Sequence, residues 1–266
     1  MAARILGSPR DPIKGKVPYS IPDDPLAHLP FPLRLRSRIE WWKKNGKDRD
    51  VVRLIQCGVC PCWSHPPDLP WMDQSRNVCD QKAALEILPE YLEIGAVRKV
   101  SMAEVKFLVP WFVIRKPEGD GVKLRLISDC RKINNFLSPS HFKLDHWQNI
   151  FPFLRKGMWA CKVDLKHAYF HLGVGDELKP YLCVKVGDEV FQFQAACFGL
   201  STLPQIWMTL MKVFQRKWRS KGLLVFIYLD DIFVVGDTQT ATAKAISVVV
   251  KDLIDSGMLI NHPKSE

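Results

Sequence analysis

The chain has 266 residues, a net charge of +10, 47% hydrophobic residues and 25% charged residues. That is enough apolar material for one large domain or two lobes, and an aromatic content of 11% with nine Trp excludes a disordered chain. The basic excess points to a polyanionic partner, nucleic acid or an anionic membrane surface, and no apolar run reaches the roughly 20 residues needed to span a bilayer.

The N-terminus lacks the apolar core of a secretory signal. Eight Cys are scattered along the chain, so free thiols and an intracellular, cytoplasmic or nuclear, setting are expected. Residues 1–33 contain Pro9, Pro12, Pro18, Pro22, Pro25, Pro30 and Pro32. Proline at this density blocks helix and ladder alike and predicts an extended, poorly ordered arm. Residues 34–71 read as a basic helical extension. Arg34, Arg36, Arg38, Lys43 and Lys44 accompany Leu35, Ile39 and Trp42 at helical spacing, which suits either phosphate contact or a solvated helix face. Cys57, Cys60, Cys62 and His65 contain a Cys-x-x-Cys pair of the zinc-knuckle kind. All four fall in one short stretch, so zinc and incidental buried thiols both stay open.

Residues 72–266 carry the stronger patterns. Asp80 to Ile94 predicts a helix with Ala84, Leu85, Leu88 and Leu92 on one face, a kink at Pro89 and a stop at Gly95. Trp111 to Lys116, a Gly-rich turn at Pro117 to Gly121, and Val122 to Ser128 predict a hairpin. Its facing strands bring Lys116 and Arg125 together, to hold a phosphate or to form a solvated tip. Arg131 and Asn134 follow in a polar segment. A strand from Met158 to Val163 ends at Asp164, where an acid either meets a ligand or caps a helix. Leu165 to Leu172 then presents Tyr169 and Phe170. Tyr181 to Gln194 predicts a second hairpin around Gly187-Asp188. Phe198-Gly199-Leu200 precedes a helix opened by Pro204, and Gly199 permits close backbone approach. That helix carries an apolar stripe from Leu203 to Trp218.

Phe226 to Val235 is the most informative stretch. Asp230 and Asp231 sit at a hairpin tip between two apolar strands. Acids in such surroundings are costly unless paired, and a hard divalent cation is a suitable partner, although a solvent-facing turn remains open. A helix from Ala243 to Ile254 follows, stopped by Gly257, and a strand begins at Met258. Three acids on neighbouring strands can hold two divalent ions about 3.5–4 Å apart, the arrangement used for in-line phosphoryl displacement.

Taken in order, these residues resemble the reverse transcriptases of retroelements. Tyr228-Leu229-Asp230-Asp231 resembles the Tyr-x-Asp-Asp motif. Val163-Asp164 with Tyr169 and Phe170 resembles the first acidic motif, Phe198-Gly199-Leu200 with Pro204 the Phe-Gly-Leu motif, Leu124 to Asn134 the fingers motif, and Gly257 to Lys264 the start of the Lys-bearing motif. The stretch from Cys57 to Pro67 is most similar to the tyrosine-recombinase (DIRS) retrotransposon group.

The resemblance implies an α+β right-hand polymerase fold. Fingers would span roughly residues 101–137 and 178–197, and a palm with an antiparallel sheet backed by helices roughly 138–177 and 198–266. A thumb and an RNase H domain are absent from the pattern. It also implies an RNA-directed DNA polymerase acting on an RNA or DNA template with primer and on dNTPs, with no membrane role. Asp164, Asp230 and Asp231 would hold two Mg2+, with Mn2+ as an alternative. Lys116, Arg125, the backbone of His167 and Ala168, Tyr169, Phe198 and Gly199 would bind the dNTP, and Lys264 is a candidate proton donor. An aromatic at Tyr169 leaves no room for a 2′-hydroxyl, which disfavours an RNA-directed RNA polymerase. The alternative is a catalytically inactive or domesticated nucleic-acid-binding remnant without a thumb.

Overall fold

The computed structural model describes residues 22–46, 48–65, 67–69, 78–118, 121–139 and 150–265, apart from the side chains of Val78, Cys79 and Glu118. In chain order the helices and strands are α1 (Phe31–Ser37), α2 (Ile39–Asn45), α3 (Arg49–Cys57), α4 (Val78–Glu93), β1 (Val97–Val100), β2 (Trp111–Glu118), β3 (Gly121–Ser128), α5 (Arg131–Asn134), β4 (Trp159–Asp164), β5 (Cys183–Val186), β6 (Glu189–Phe193), α6 (Leu203–Ser220), β7 (Leu224–Tyr228), β8 (Asp231–Gly236) and α7 (Gln239–Asp255). All strand pairs in the sheets are antiparallel, so the class is mixed helix and sheet as expected. The chain divides into two compact units. Among the described residues, one holds those within 22–25, 150–166 and 208–265, the other those within 26–139 and 167–207. Among the described residues, no helix is long and apolar enough to cross a membrane.

The first unit is built on a three-stranded sheet of order β4-β8-β7. Val225, Ile227, Val163, Ile232 and Val234 are each at most 2% exposed, so the sheet is a buried apolar layer. α7 packs on β4 and β8, turning Ile246, Val249, Val250 and Leu253 inward; each such burial contributes about 1.5–3 kcal/mol. The Thr238 hydroxyl accepts from Ala241 N and caps the helix at its start. Gly257, at φ 92°, ends it as expected. Gly236 lets the helix approach the strand, since a Cβ there would lie 2.6 Å from Thr242 Oγ1. Asp252 on α7 is buried. It accepts from Trp218 Nε1 at 2.9 Å and from Lys217 Nζ at 2.7 Å, which fastens α7 to the end of α6.

The second unit holds a sheet of order β1-β6-β5 and the β2–β3 hairpin. β5 and β6 turn through Gly187 (φ 60°) and Asp188, as the sequence predicts. Trp111 is buried and donates from Nε1 to Lys185 O at 2.9 Å. α4 runs unbroken through Pro89 and ends at Gly95 (φ 68°), where Ala96 N donates to Tyr91 O, a Schellman arrangement. Trp42, Leu35, Val51 and Ile55 form the buried side of α1 to α3.

Several expectations change. The basic helix is two short helices, broken at Arg38, and the first of them begins before residue 34. Leu26 and Phe31 are buried and α1 starts at Phe31, because Pro32 is tolerated in a first turn; residues 1–21 of the expected arm lie outside the described residues. Ala84 and Leu88 are buried on α4 as expected, but Leu85 is 54% exposed, and Ala83, Ile87 and Tyr91 complete the buried face. The strand expected from Met258 is a single bridge, Leu165 to Ile260. Cys57, Cys60 and Cys62 are free thiols, and they are exposed rather than buried. The His65 ring packs on Phe136, and its Nδ1 lies 2.9 Å from Ser64 Oγ.

The Asp252 node gives a direct test of the first unit. Asp252→Ala strands the Trp218 N–H and the Lys217 charge, and should cost about 3 kcal/mol of unfolding free energy. Urea denaturation followed by Trp fluorescence measures the loss.

Candidate active site

The acidic residues meet because of strand register. Tyr228 pairs with Asp231, so β7 and β8 are joined by two residues, Leu229 and Asp230. A loop this short needs positive φ, and Leu229 takes it at 53°. On the other side of β8, Asp231 is the direct partner of Asp164, the last residue of β4. Residues opposite each other in an antiparallel ladder share a face, with Cβ atoms about 4.5–5.5 Å apart. Asp164, Asp230 and Asp231 therefore occupy one end of one sheet. A cavity of about 520 Å³ lined by Phe153, Arg155, Met158, Leu224 and Asp237 lies by the opposite end, near Gly236.

Asp164 is also held by the segment that begins the Lys-bearing motif, through residues to which the motif pattern gave no role. Asn261 N donates to Asp164 O at 2.8 Å, and Asn261 Nδ2 donates to Asp164 Oδ1 at 2.7 Å. Asp164 N donates to Ser265 Oγ at 3.1 Å, and that hydroxyl donates to Asn261 O at 2.8 Å. Lys166 N to Leu259 O continues the zipper. Backbone and carboxylate of Asp164 are thus fixed by one short stretch, Leu259 to Ser265. Lys264 lies in the 3-10 turn of that stretch.

Charge dominates the rest of the site. Lys162, two residues before Asp164 on β4, pairs with Asp231 at 2.8 Å. Burial works against the Lys162 charge, but the Asp231 hydrogen bond and the charges of Asp231, Asp164 and Asp230 outweigh it and raise its pKa. Asp230 keeps solvent access. Even so, crowding by surrounding atoms, and then the charges of Asp231 and Asp164, push its carboxyl above the usual range against the pull of its own backbone N–H and of Lys162. Three carboxylates facing one ammonium leave an uncompensated negative site of hard oxygen donors, the donor type that Mg2+ and Mn2+ prefer. Asp231 is engaged by Lys162 and Asp164 by Asn261, and among the described residues no three His, Cys, Asp or Glu side chains are already arranged round a metal position.

The remaining expected site residues lie in the second unit. Lys116 is opposite Lys123 and Arg125 is opposite Ile114, which puts Lys116 and Arg125 diagonally on one face of the hairpin. Lys116 is exposed and Arg125 half-buried. His167 has φ 48° and its ring stacks on Phe170, with Nε2 3.1 Å from Glu90 Oε1. Ala168 O accepts from His171 Nδ1 in the next turn. Tyr169 is half-buried, its ring 5.2 Å from Phe198 and 5.8 Å from Trp207. Gly199, at φ 114°, is required where it stands, since a Cβ would lie 2.2 Å from Ser128 O. Asn134 latches this loop by donating to Gly199 O and accepting from Ser201 N, both at 2.9 Å.

Sequence reasoning missed Lys162, Asn261 and Ser265, and gave Asn134 no role. Lys162 carried a usable signal: it shares the parity of Asp164 on one strand and so faces the same side. Asn261 and Ser265 carried none, because their role depends on a contact about a hundred residues away in sequence.

The raised Asp230 pKa sets a testable sign. The folded state holds this proton more tightly than the unfolded chain, so its contribution to stability falls as pH rises from the ordinary carboxylate value near 4 through the raised folded value. Asp230→Asn should therefore raise the midpoint of thermal unfolding at neutral pH in EDTA and flatten its pH dependence over that window. Differential scanning calorimetry at several pH values reads both effects.

Comparisons with known proteins bear on this geometry. The family model described as "Reverse transcriptase (RNA-dependent DNA polymerase)" matches residues 114–266. The genome polyprotein of Petunia vein clearing virus (isolate Shepherd) is 24% identical over 231 residues, covering 82% of this chain and 10% of the polyprotein. The retrovirus-related Pol polyprotein from transposon 297 of Drosophila melanogaster is 25% identical over 157 residues, covering 59% of the chain and 15% of that protein. The transposon Tf2-3 polyprotein of Schizosaccharomyces pombe is 26% identical over 159 residues, covering 59% and 11%. The chain thus spans roughly a tenth of the length of these polyproteins. The family model covers more than half of the chain and all three acids of the sheet end, and the chain belongs to the reverse transcriptase (RNA-dependent DNA polymerase) family.

Proposed function

We propose that this chain is the fingers and palm portion of an RNA-directed DNA polymerase from a retroelement, with dNTPs and a primed RNA or DNA template as substrates. The observation that carries the reading is the register that sets Asp164 opposite Asp231 with Asp230 in the adjoining turn. Asp164 and Asp230 are the proposed ligands of two Mg2+, with Asp231 assisting near the primer end. Divalent ions held there would offset the carboxylate charge and stabilise the attacking and leaving oxygens of the displacement. Asn261 and Ser265 keep Asp164 in place, so that little reorganisation is needed when the substrate arrives. Lys162 holds Asp231 while no cation does.

In the second unit, Lys116 and Arg125 are the proposed contacts for the triphosphate, joined by backbone groups of His167 and Ala168. Two cations on one strand face repel unless an anion lies between them, which is the property wanted in a phosphate site. Phe198 and Gly199 are the proposed support for template and nucleotide. Tyr169, braced by Phe198 and Trp207, is the proposed steric gate against a 2′-hydroxyl. Lys264 is the proposed proton donor to the leaving pyrophosphate. The narrower likeness to the tyrosine-recombinase (DIRS) group rests on the Cys57 to Pro67 stretch alone.

Primer extension with dNTPs and Mg2+ tests the reading. Wild type should incorporate deoxynucleotides, and Asp230→Asn should reduce the rate by at least about a thousandfold, a loss of roughly 4 kcal/mol of transition-state stabilisation. Equal rates for the two proteins would overturn the assignment and favour a nucleic-acid-binding role without turnover. Tyr169→Ala should admit ribonucleotides, narrowing the ratio of kcat/KM for dNTP over NTP by about tenfold or more, near 1.4 kcal/mol. An unchanged ratio removes the gate role.

A further inference from the structure

The basic N-terminal helices lie outside the residues that the family model matches, and their outer surface has a shape that the polymerase site does not use. α2 and α3 form a tight helical hairpin. Its inner side is core, with Trp42, Val51 and Ile55 all under 8% exposed. Gly46 makes the turn possible, since a Cβ there would lie 2.8 Å from Trp42 O. The outer side is an open groove of about 450 Å³ lined by Lys43, Gly46, Arg49, Val52, Arg53 and Gln56. Arg49, Arg53 and Gln56 fall at i, i+4 and i+7 on α3 and so line one face, with the two guanidinium stems about 6 Å apart along the axis.

Among the described residues no acid lines this groove. Asp48 is occupied in capping α3, where it accepts from Asp50 N. Glu40 pairs with Lys43 at 2.7 Å, but both side chains are about half exposed or more, and such a pair is worth little and readily exchanged. Among the described residues Arg49 has no ion-pair partner, and Arg53 lies near the Cys60 thiol, which burial keeps neutral by raising its pKa. Three cations thus converge on one shallow channel with a half-buried apolar floor at Val52.

We infer that this groove is a second nucleic-acid contact, a track for the phosphate backbone of the primed template formed by Lys43, Arg49 and Arg53. The choice of nucleic acid over an anionic membrane rests on the reverse transcriptase reading above and on the build of the groove. Its cations are carried on a packed helix pair at short spacing, and among the described lining residues the one apolar side chain, Val52, is half-buried and does not project to enter a bilayer. The contact is sequence-independent, because phosphate positions a strand and carries no base information.

The test compares wild type, the triple variant K43Q/R49Q/R53Q and a charge-matched control, K221Q/K244Q/K251Q, all at exposed positions. Fluorescence anisotropy with a labelled primer–template duplex across a salt series reads the contact count. Loss of three phosphate contacts should lower the slope of log Kd against log salt by about 2 to 3, and weaken binding at moderate salt by about 10- to 100-fold. The control should change neither by more than a fraction of this. Single-nucleotide insertion by the triple variant at saturating duplex should stay within about twofold of wild type. An unchanged slope, or an equal change in the control, overturns the proposal. So does a loss confined to phosphatidylserine vesicles with duplex binding intact. Failure of wild type to extend primers would sink the polymerase reading alone, since the anisotropy measurement does not depend on turnover.

Discussion

The sheet end that carries Asp164, Asp230 and Asp231 is the constraint to which the rest of the first unit answers. Two unit charges 4 Å apart at an effective dielectric of 20 repel by about 4 kcal/mol, a large share of the roughly 5–15 kcal/mol that holds a domain together. Three carboxylates gathered by strand register must be offset locally. Lys162 supplies one positive charge across β4 and β8. Asn261 Nδ2 donates to the Asp164 carboxylate, while the Ser265 hydroxyl accepts from the Asp164 backbone N–H and fixes the main chain. Behind them Val163, Ile227, Ile232 and Val234 are all but fully buried, so the strands cannot shift register to relieve the repulsion. Desolvation first, and then the charges of Asp231 and Asp164 that remain uncompensated, raise the pKa of Asp230.

Backbone strain falls in the same places. The two non-glycine residues with positive φ among the described residues are Leu229, directly before Asp230, and His167, three residues after Asp164. A left-handed conformation costs an ordinary L-residue about 1–2 kcal/mol. It persists where neighbours over-determine it. Leu229 is fixed by the two-residue turn that the Tyr228–Asp231 pairing demands. His167 is fixed by its ring, which packs edge-on against Phe31 and flat on Phe170. In both cases the strain accompanies an acid delivered at a strand end.

Much of this was legible in the sequence, for identifiable reasons. The acidic hairpin, β4 ending at Asp164, the two other hairpins and α7 announce themselves through alternation of β-branched residues, turn glycines and a stop glycine, all local signals. The misses were of another kind. Leu85 fits the helical period but sits at the edge of the buried arc, where composition cannot decide exposure. Met258 to Ile260 has strand composition but finds one bridge partner and no ladder. Arg38 ends α1 with no glycine or proline to mark the break. Asn261, Ser265 and Asn134 act through contacts with residues far away in sequence, and a polar residue in a loop gives no sign of its distant partner.

Charge logic also separates the two functional readings. A module that only gripped a phosphate backbone would be served by its basic excess of +10. Three acids at one sheet end would then be a liability, because they repel the same polyanion and destabilise the empty fold. On the proposed reading the cluster would become useful once divalent cations turned a negative pocket into a positive one able to accept a triphosphate and a primer end. The contacts of Lys162, Asn261 and Ser265 that keep Asp164 and Asp231 in position support that proposal. The cations on the α2–α3 hairpin would attract the strand with no such conversion. The two proposals together would assign adhesion to the backbone and chemistry at the phosphate to different residues of one basic chain.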